Sequence, residues 1–265
     1  MMDVLLVKSF RDQRRGILGW GIAVTAVGLM YAAIYPSIES SASQLNEYVK
    51  NLPEAVKALV GGEDYASPAG YLRSEFFSTM GPLLFLVYAI GAGARAIAGE
   101  EESRTLDLLL STPLRRPQVL RDKAITIAST VAVLAVLAFA SLAVFGPAFD
   151  LTVPVADLAA ACLMLALLGI AFAGISLAVG SFTGRRSLAN AIAGGLAVLA
   201  FIVNAFAVSV SWLEPLRPIS PLRWYMEPDP LKEGLDPLSM LILVAIAVVS
   251  YALAHVSFVR RDLAA

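Results

Sequence analysis

The sequence predicts an all-α integral membrane protein with six transmembrane helices and both termini in the cytoplasm. Three observations carry that prediction. Composition is the first: 58% of the residues are hydrophobic and 15% charged, against roughly half and a quarter in a soluble domain. Six apolar stretches each approach or exceed the roughly 20 helical residues that cross a hydrocarbon core. Lys and Arg, finally, concentrate in alternate connections between those stretches.

The spans fall near Ile17–Tyr35, Phe76–Ala98, Ala124–Phe145, Leu158–Phe182, Leu188–Trp212 and Leu238–Val259. Arg14 and Arg15 precede the first, and Ser41–Ala42–Ser43 follow it like a cleavage site. Its apolar run nevertheless exceeds the roughly 7–15 residues of a signal-peptide core, so it reads as a retained helix. Ahead of it, residues 1–15 mix Val4, Leu5, Val7 and Phe10 with basic positions, which suits an interfacial helix lying on the inner leaflet. Residues 36–75 form the largest external loop. Leu45, Val49, Leu52, Val56, Leu59 and Val60 recur there at helical spacing around Pro53, predicting a kinked amphipathic helix. The external loop 213–237 is rich in proline, with Trp224 and Tyr225 inside it and Trp212 at its edge. That mixture predicts a structure dipping into the headgroups without completing a span.

Charge placement sets the orientation. Lys8, Arg11, Arg14 and Arg15 precede span one, and Arg104, Arg115, Arg116, Arg121 and Lys123 separate spans two and three. Arg185 and Arg186 separate spans four and five, while Arg260 and Arg261 follow span six. Short loops rich in Lys and Arg stay in the cytoplasm. The single Cys162 and single His255 exclude an intrachain disulfide and a multi-ligand His/Cys metal site.

The cytoplasmic segment 99–123 carries the densest chemistry. Glu100–Glu102 open it, and Leu106, Leu109 and Leu110 then share one face of a short helix that Pro113 ends, with Arg104, Thr105 and Asp107 flanking the stripe. Such a ridge suits docking into a groove on a partner. It equally suits resting on the chain's own transmembrane ends.

The run EEESRTLDLLLSTPLRR (Glu100–Arg116) resembles the E-x-E-x-G-T-L-[DE]-x-L-L-x-[ST]-P signature of ABC-2-type permeases, the membrane subunits of ABC transporters. The N-terminal KSFRDQRRGILGW segment and the late SPLRWYMEPDPLKEG loop are similar to that family as well. Arg104 stands where the family often has Gly. The resemblance implies that segment 99–123 is a coupling helix seated on a separate ATPase subunit. Glu100, Glu102, Arg104, Thr105, Leu106, Asp107, Leu109 and Leu110 would form its contact surface. The chain has no G-x-x-x-x-G-K-[ST] run, so ATP and Mg would be bound by the partner, with no catalytic residue, cofactor or metal here. Two permease copies, as a homodimer or heterodimer, would then sit over two ATPase copies in the cell membrane. The expected activity is export of hydrophobic or amphipathic cargo, with no role for nucleic acid.

Inside the membrane, Asn190 and Asn204 on span five are candidates for the substrate pathway. They lie among Ala189, Ala193, Gly194 and Ala197, a set that equally suits close helix packing. The resemblance implies that spans one and five line the seam between two copies, so span five is expected to face the partner or the route; Ala135 and Ala247 are expected toward lipid. Arg95 should snorkel from the inner end of span two. Gly180–x–x–x–Gly184 matches a helix-contact motif at a membrane edge. Two rival functions remain. Ser176 on span four and His255 on span six mimic the dyad of rhomboid-type intramembrane proteases, although Leu177 breaks the Gly-x-Ser-Gly form. A non-transporting membrane assembly or maturation factor is the other.

Overall fold

Six helices long and apolar enough to cross a membrane form in the computed structural model, which describes residues 2–41, 51, 67–105, 115–207 and 210–261. The first, α1, runs unbroken over Met2–Ser40. Residues 2–15 thus continue the spanning helix with no break between them. The predicted kinked helix at 45–60 lies outside the described residues, Asn51 excepted.

The second span, α2, covers Pro68–Glu102, 35 residues where the apolar run predicted a start at Phe76. Ser67 explains the earlier start: its hydroxyl accepts from Gly70 N at 3.0 Å, and Pro68 opens the helix. Two π-helical stretches, Leu72–Met80 and Arg95–Gly99, widen α2 near its ends. The first has a consequence. Gly81 N donates to Phe76 O, so the next i→i+5 bond would run from residue 82 to Phe77 O. Residue 82 is proline and has no N–H. The Tyr225 hydroxyl takes that place, donating to Phe77 O at 2.8 Å.

The third span, α3, covers Arg116–Phe145 and continues as a 3-10 turn over Gly146–Phe149. It begins eight positions before the apolar run, since the Gln118 side chain caps Arg115 N at 3.1 Å and Pro117 favours a first turn. The charges of 116–123 are therefore helical, and the connection between α2 and α3 shrinks to 103–115. Val155–Thr183 forms α4 and Arg186–Phe206 forms α5. The latter stops short of Trp212, which lies 72% exposed in the following turn; its 21 residues already reach about 31 Å. A 3-10 turn at Glu214–Ile219 and a short helix α6, Pro221–Met226, fold the connection after α5 back on the bundle. Asp236 caps the last span, α7 (Pro237–Arg260), accepting from Ser239 N at 2.8 Å.

Small residues make α4 the centre of the bundle, in contact with α2, α3, α5 and α7. A Cβ on Gly93 of α2 would lie 2.4 Å from Ala173 O, and one on Gly174 would lie 3.1 Å from Ser250 Cβ of α7. Gly180 approaches Ala98 and Ala189, so the first glycine of the suspected motif does make a helix contact. Gly184 instead ends α4 at φ +65°. Outside this core α1 packs on α3, Gly21 meeting Leu137 and Gly28 meeting Ser141, so the two run parallel. Both termini and the Arg-rich connections thus share one end of the bundle, the basic end. Ala135, expected toward lipid, is buried with Leu134 and Ala138 in the core; Ala247 is half-buried beside Gly174.

Candidate functional site

At the basic end three consecutive glutamates reach three different spans. Glu100 accepts from Lys123 Nζ of α3 at 2.7 Å. Glu101 pairs with Arg261, just past α7. Glu102 accepts from Arg186 N at 2.8 Å, occupying the start of α5, where the helix dipole favours negative charge. Arg261 also donates to Ser181 O of α4 at 3.0 Å, and its own carbonyl accepts from Arg116 at 2.8 Å. The triplet therefore ties the end of α2 to α3, α5 and α7, with α4 held through Arg261. Partly exposed ion pairs contribute only about 0–1 kcal/mol each. What the arrangement supplies is a fixed geometry between the end of α2 and its neighbours.

The chain leaves this staple through a defined stop. Thr105 N donates to Glu100 O at 2.9 Å and Arg104 N to Glu101 O at 3.0 Å, the paired bonds of a Schellman motif. Its left-handed position is Arg104, at φ +55°. Glycine is the usual residue there because an L side chain is strained in that conformation. Thr105 closes the turn, its hydroxyl donating to the Glu100 carboxylate. Gly184 faces the same cluster: a Cβ there would sit 2.8 Å from the Glu101 carboxylate.

Of the predicted coupling residues, then, Glu100, Glu102, Arg104 and Thr105 stand at this exit; Glu102 and Arg104 are exposed. Leu106, Asp107, Leu109 and Leu110 lie outside the described residues. In the sequence Glu101, Lys123, Arg186 and Arg261 stand out only as charge. Their partners lie up to 160 positions away, beyond any local spacing pattern.

The membrane interior offers a groove between α2 and α5 of about 610 Å³. Ser78 and Thr79 line it toward the end opposite the basic one, Asn190 toward the basic end, and Leu86, Ile90 and Val198 between them; Leu222 of α6 also lines it. The structure brings Asn190 to this groove but not Asn204. Asn204 instead donates to Met226 Sδ at 3.7 Å, and its carbonyl oxygen is buried without a partner. Ala189, Ala193 and Ala197 are buried, with Ala189 packed against Gly180 of α4 and Ala197 lining the groove. Arg95 is exposed, one turn before the acidic triplet.

The protease reading finds no support. Ser176 is fully buried, its hydroxyl donating to Ile90 O of α2 at 2.8 Å. The His255 ring lies against Tyr251, centroids 6.3 Å apart.

No curated protein matches the chain. The family model described as ABC-2 family transporter protein matches residues 4–263. That range takes in all six spans, the acidic staple and the folded-back connection after α5. This chain therefore belongs to the ABC-2 family of transporter proteins, as a multi-pass membrane protein.

Proposed function

We propose that the protein is the permease half of an exporter in the cytoplasmic membrane, working as a pair of permeases over two ABC ATPase subunits that bind ATP and Mg. The basic end faces the cytoplasm in this reading, and residues 103–115 meet the ATPase. One observation carries the coupling proposal: the acidic triplet immediately before that connection is tied to α3, α5 and α7. A displacement of the connection by a nucleotide-driven partner would reach three spans at once. The groove between α2 and α5, apolar with polar groups toward its two ends, suits hydrophobic or amphipathic cargo.

Co-expression with the ATPase subunit tests the docking step. Leu109→Asp puts a carboxylate into an apolar contact, at a cost of several kcal/mol when unpaired. The variant should remain in the membrane, with its melting midpoint unchanged, yet fail to co-purify the ATPase. Loss of the fold in Leu109→Asp, while a Glu102→Ala protein assembles and transports normally, would instead assign the leucine face to this chain's own core.

A further inference from the structure

A second crevice opens where α3 and α7 diverge over α4, away from the groove between α2 and α5. It encloses about 470 Å³, floored by the small residues Ala173 and Gly174 of α4 and walled by Ala128 of α3. Ile125 and Val248 stand at its lips and both are exposed, so it opens sideways into the bilayer. Hydrocarbon, with no polar needs, suits such a slot; a water there would lack partners.

Its end toward the termini is polar. Arg121, in the second turn of α3, stands at the mouth with its side chain 41% exposed. Two of its N–H groups, on Nε and Nη2, fork onto Asp122 Oδ1 at 3.1 and 3.0 Å, which leaves Nη1 outside the fork. Across the mouth α7 supplies Tyr251, and one turn nearer the basic end His255, their rings 6.3 Å apart. Neither makes a side-chain hydrogen bond among the described residues. Arg260, in the last turn of the same helix α7, is exposed at this end.

The geometry points to a resident site for one anionic phospholipid of the leaflet at the basic end. One acyl chain occupies the slot between α3 and α7, and the phosphate meets Arg121, flanked by Tyr251 and His255. A guanidinium held by its carboxylate is pre-set for a phosphate oxygen. Basic pockets between transmembrane helices recognise lipid headgroups in this way. Arg121 at the mouth and Arg260 at the end of α7 favour anionic over zwitterionic lipid. Neither cargo nor transport direction enters this inference, and it holds whichever way the bundle faces.

Native mass spectrometry of the delipidated full-length chain tests it, with phosphatidylglycerol or phosphatidylcholine added back. We expect one phosphatidylglycerol retained per chain, and phosphatidylcholine retained about tenfold less. Arg121→Gln, which keeps an amide for Asp122, should lower phosphatidylglycerol retention about tenfold. Ala128→Phe fills the slot and should abolish retention, together with the rise in melting midpoint that the lipid gives the native chain. Ala252→Phe, on an exposed face of α7, should change neither. Because Ala128→Phe leaves the Arg121–Asp122 pair intact, the slot is tested even where the arginine variant does not fold. Equal retention of the two lipids, or retention unchanged by both Arg121→Gln and Ala128→Phe, overturns the site and leaves only annular lipid.

Discussion

Arg104 shows how a residue with a side chain can hold the left-handed position of a helix stop. The turn after α2 closes with both bonds of a Schellman motif, and Arg104 takes the left-handed place at φ +55°. A left-handed L residue costs about 1–2 kcal/mol, and glycine returns part of that through the entropy of the unfolded chain. Arg104→Gly should therefore raise the melting midpoint slightly, by a net of up to about 1 kcal/mol; a fall would mean that the guanidinium makes a contact worth more than the strain. A second residue-scale case is Phe77, whose carbonyl loses its helical donor to Pro82 and finds the Tyr225 hydroxyl at 2.8 Å. Within a bilayer a missing donor has no water to replace it. Tyr225→Phe should thus destabilise by about 1–3 kcal/mol. Pro82→Ala restores an N–H at the right register, so the double variant Tyr225→Phe/Pro82→Ala should lose less than the single one. A thermal-unfolding cycle reads the coupling, and strict additivity would mean that the hydroxyl is not serving this carbonyl.

Elements divide sharply in what their sequence discloses. Apolar length locates all six spans, because a membrane helix must satisfy its backbone internally and present hydrocarbon outward. The ends are less legible: α2 starts at Pro68 and α3 at Arg116, since charged and capped turns extend a helix beyond its apolar run. The alanine stripe of α5 was readable as a close-contact face, but sequence cannot name its partner; the structure buries it, with Ala189 against α4 and Ala197 lining the groove beside α2. Likewise the glutamates at 100–102 were legible as a charged opening, whereas Lys123, Arg186 and Arg261 meet them only through tertiary folding. Helix α5 also yields a direct test of the groove. Gly194 lines it, and a Cβ there meets nothing within 4 Å, so Gly194→Phe fills the groove without disturbing packing inside the chain. Cargo-stimulated ATPase activity of the reconstituted transporter should fall at least tenfold, while Ala252→Phe on α7 should leave it unchanged. Full activity in Gly194→Phe would move the pathway off this groove.

At the scale of the whole molecule, burial is uneven in a way that bears on assembly. Helix α4 is enclosed by four neighbours, whereas α1, α5 and α7 each present long exposed apolar faces, including Ile22, Met30 and Ile34 on the first, Leu196, Val198 and Ile202 on the second, and Leu241, Val249 and Leu253 on the third. Apolar exposure alone does not separate a lipid face from a subunit seam, because lipid tails and leucine side chains are equally apolar. The groove on α2 and α5 favours a seam on that side, since a second copy would close it into a shared passage. Single cysteines at Ile34 of α1 and Ile202 of α5, in a Cys162→Ser background, test this arrangement. Both native side chains are about two-fifths exposed (42% and 43%), so neither change opens the core, and Cys162 itself is buried and removed only to silence it. The paired variants should form disulfide-linked permease dimers in membranes under mild oxidation, whereas Leu253→Cys, exposed on α7, should not. Orientation is read in the same preparation. An impermeant thiol reagent applied to intact cells should label Glu233→Cys in the folded-back loop and spare Arg185→Cys between α4 and α5. Labelling at position 185 alone would invert the bundle. If no α1 or α5 pair cross-links, and an active complex contains one permease, the passage must lie within a single chain.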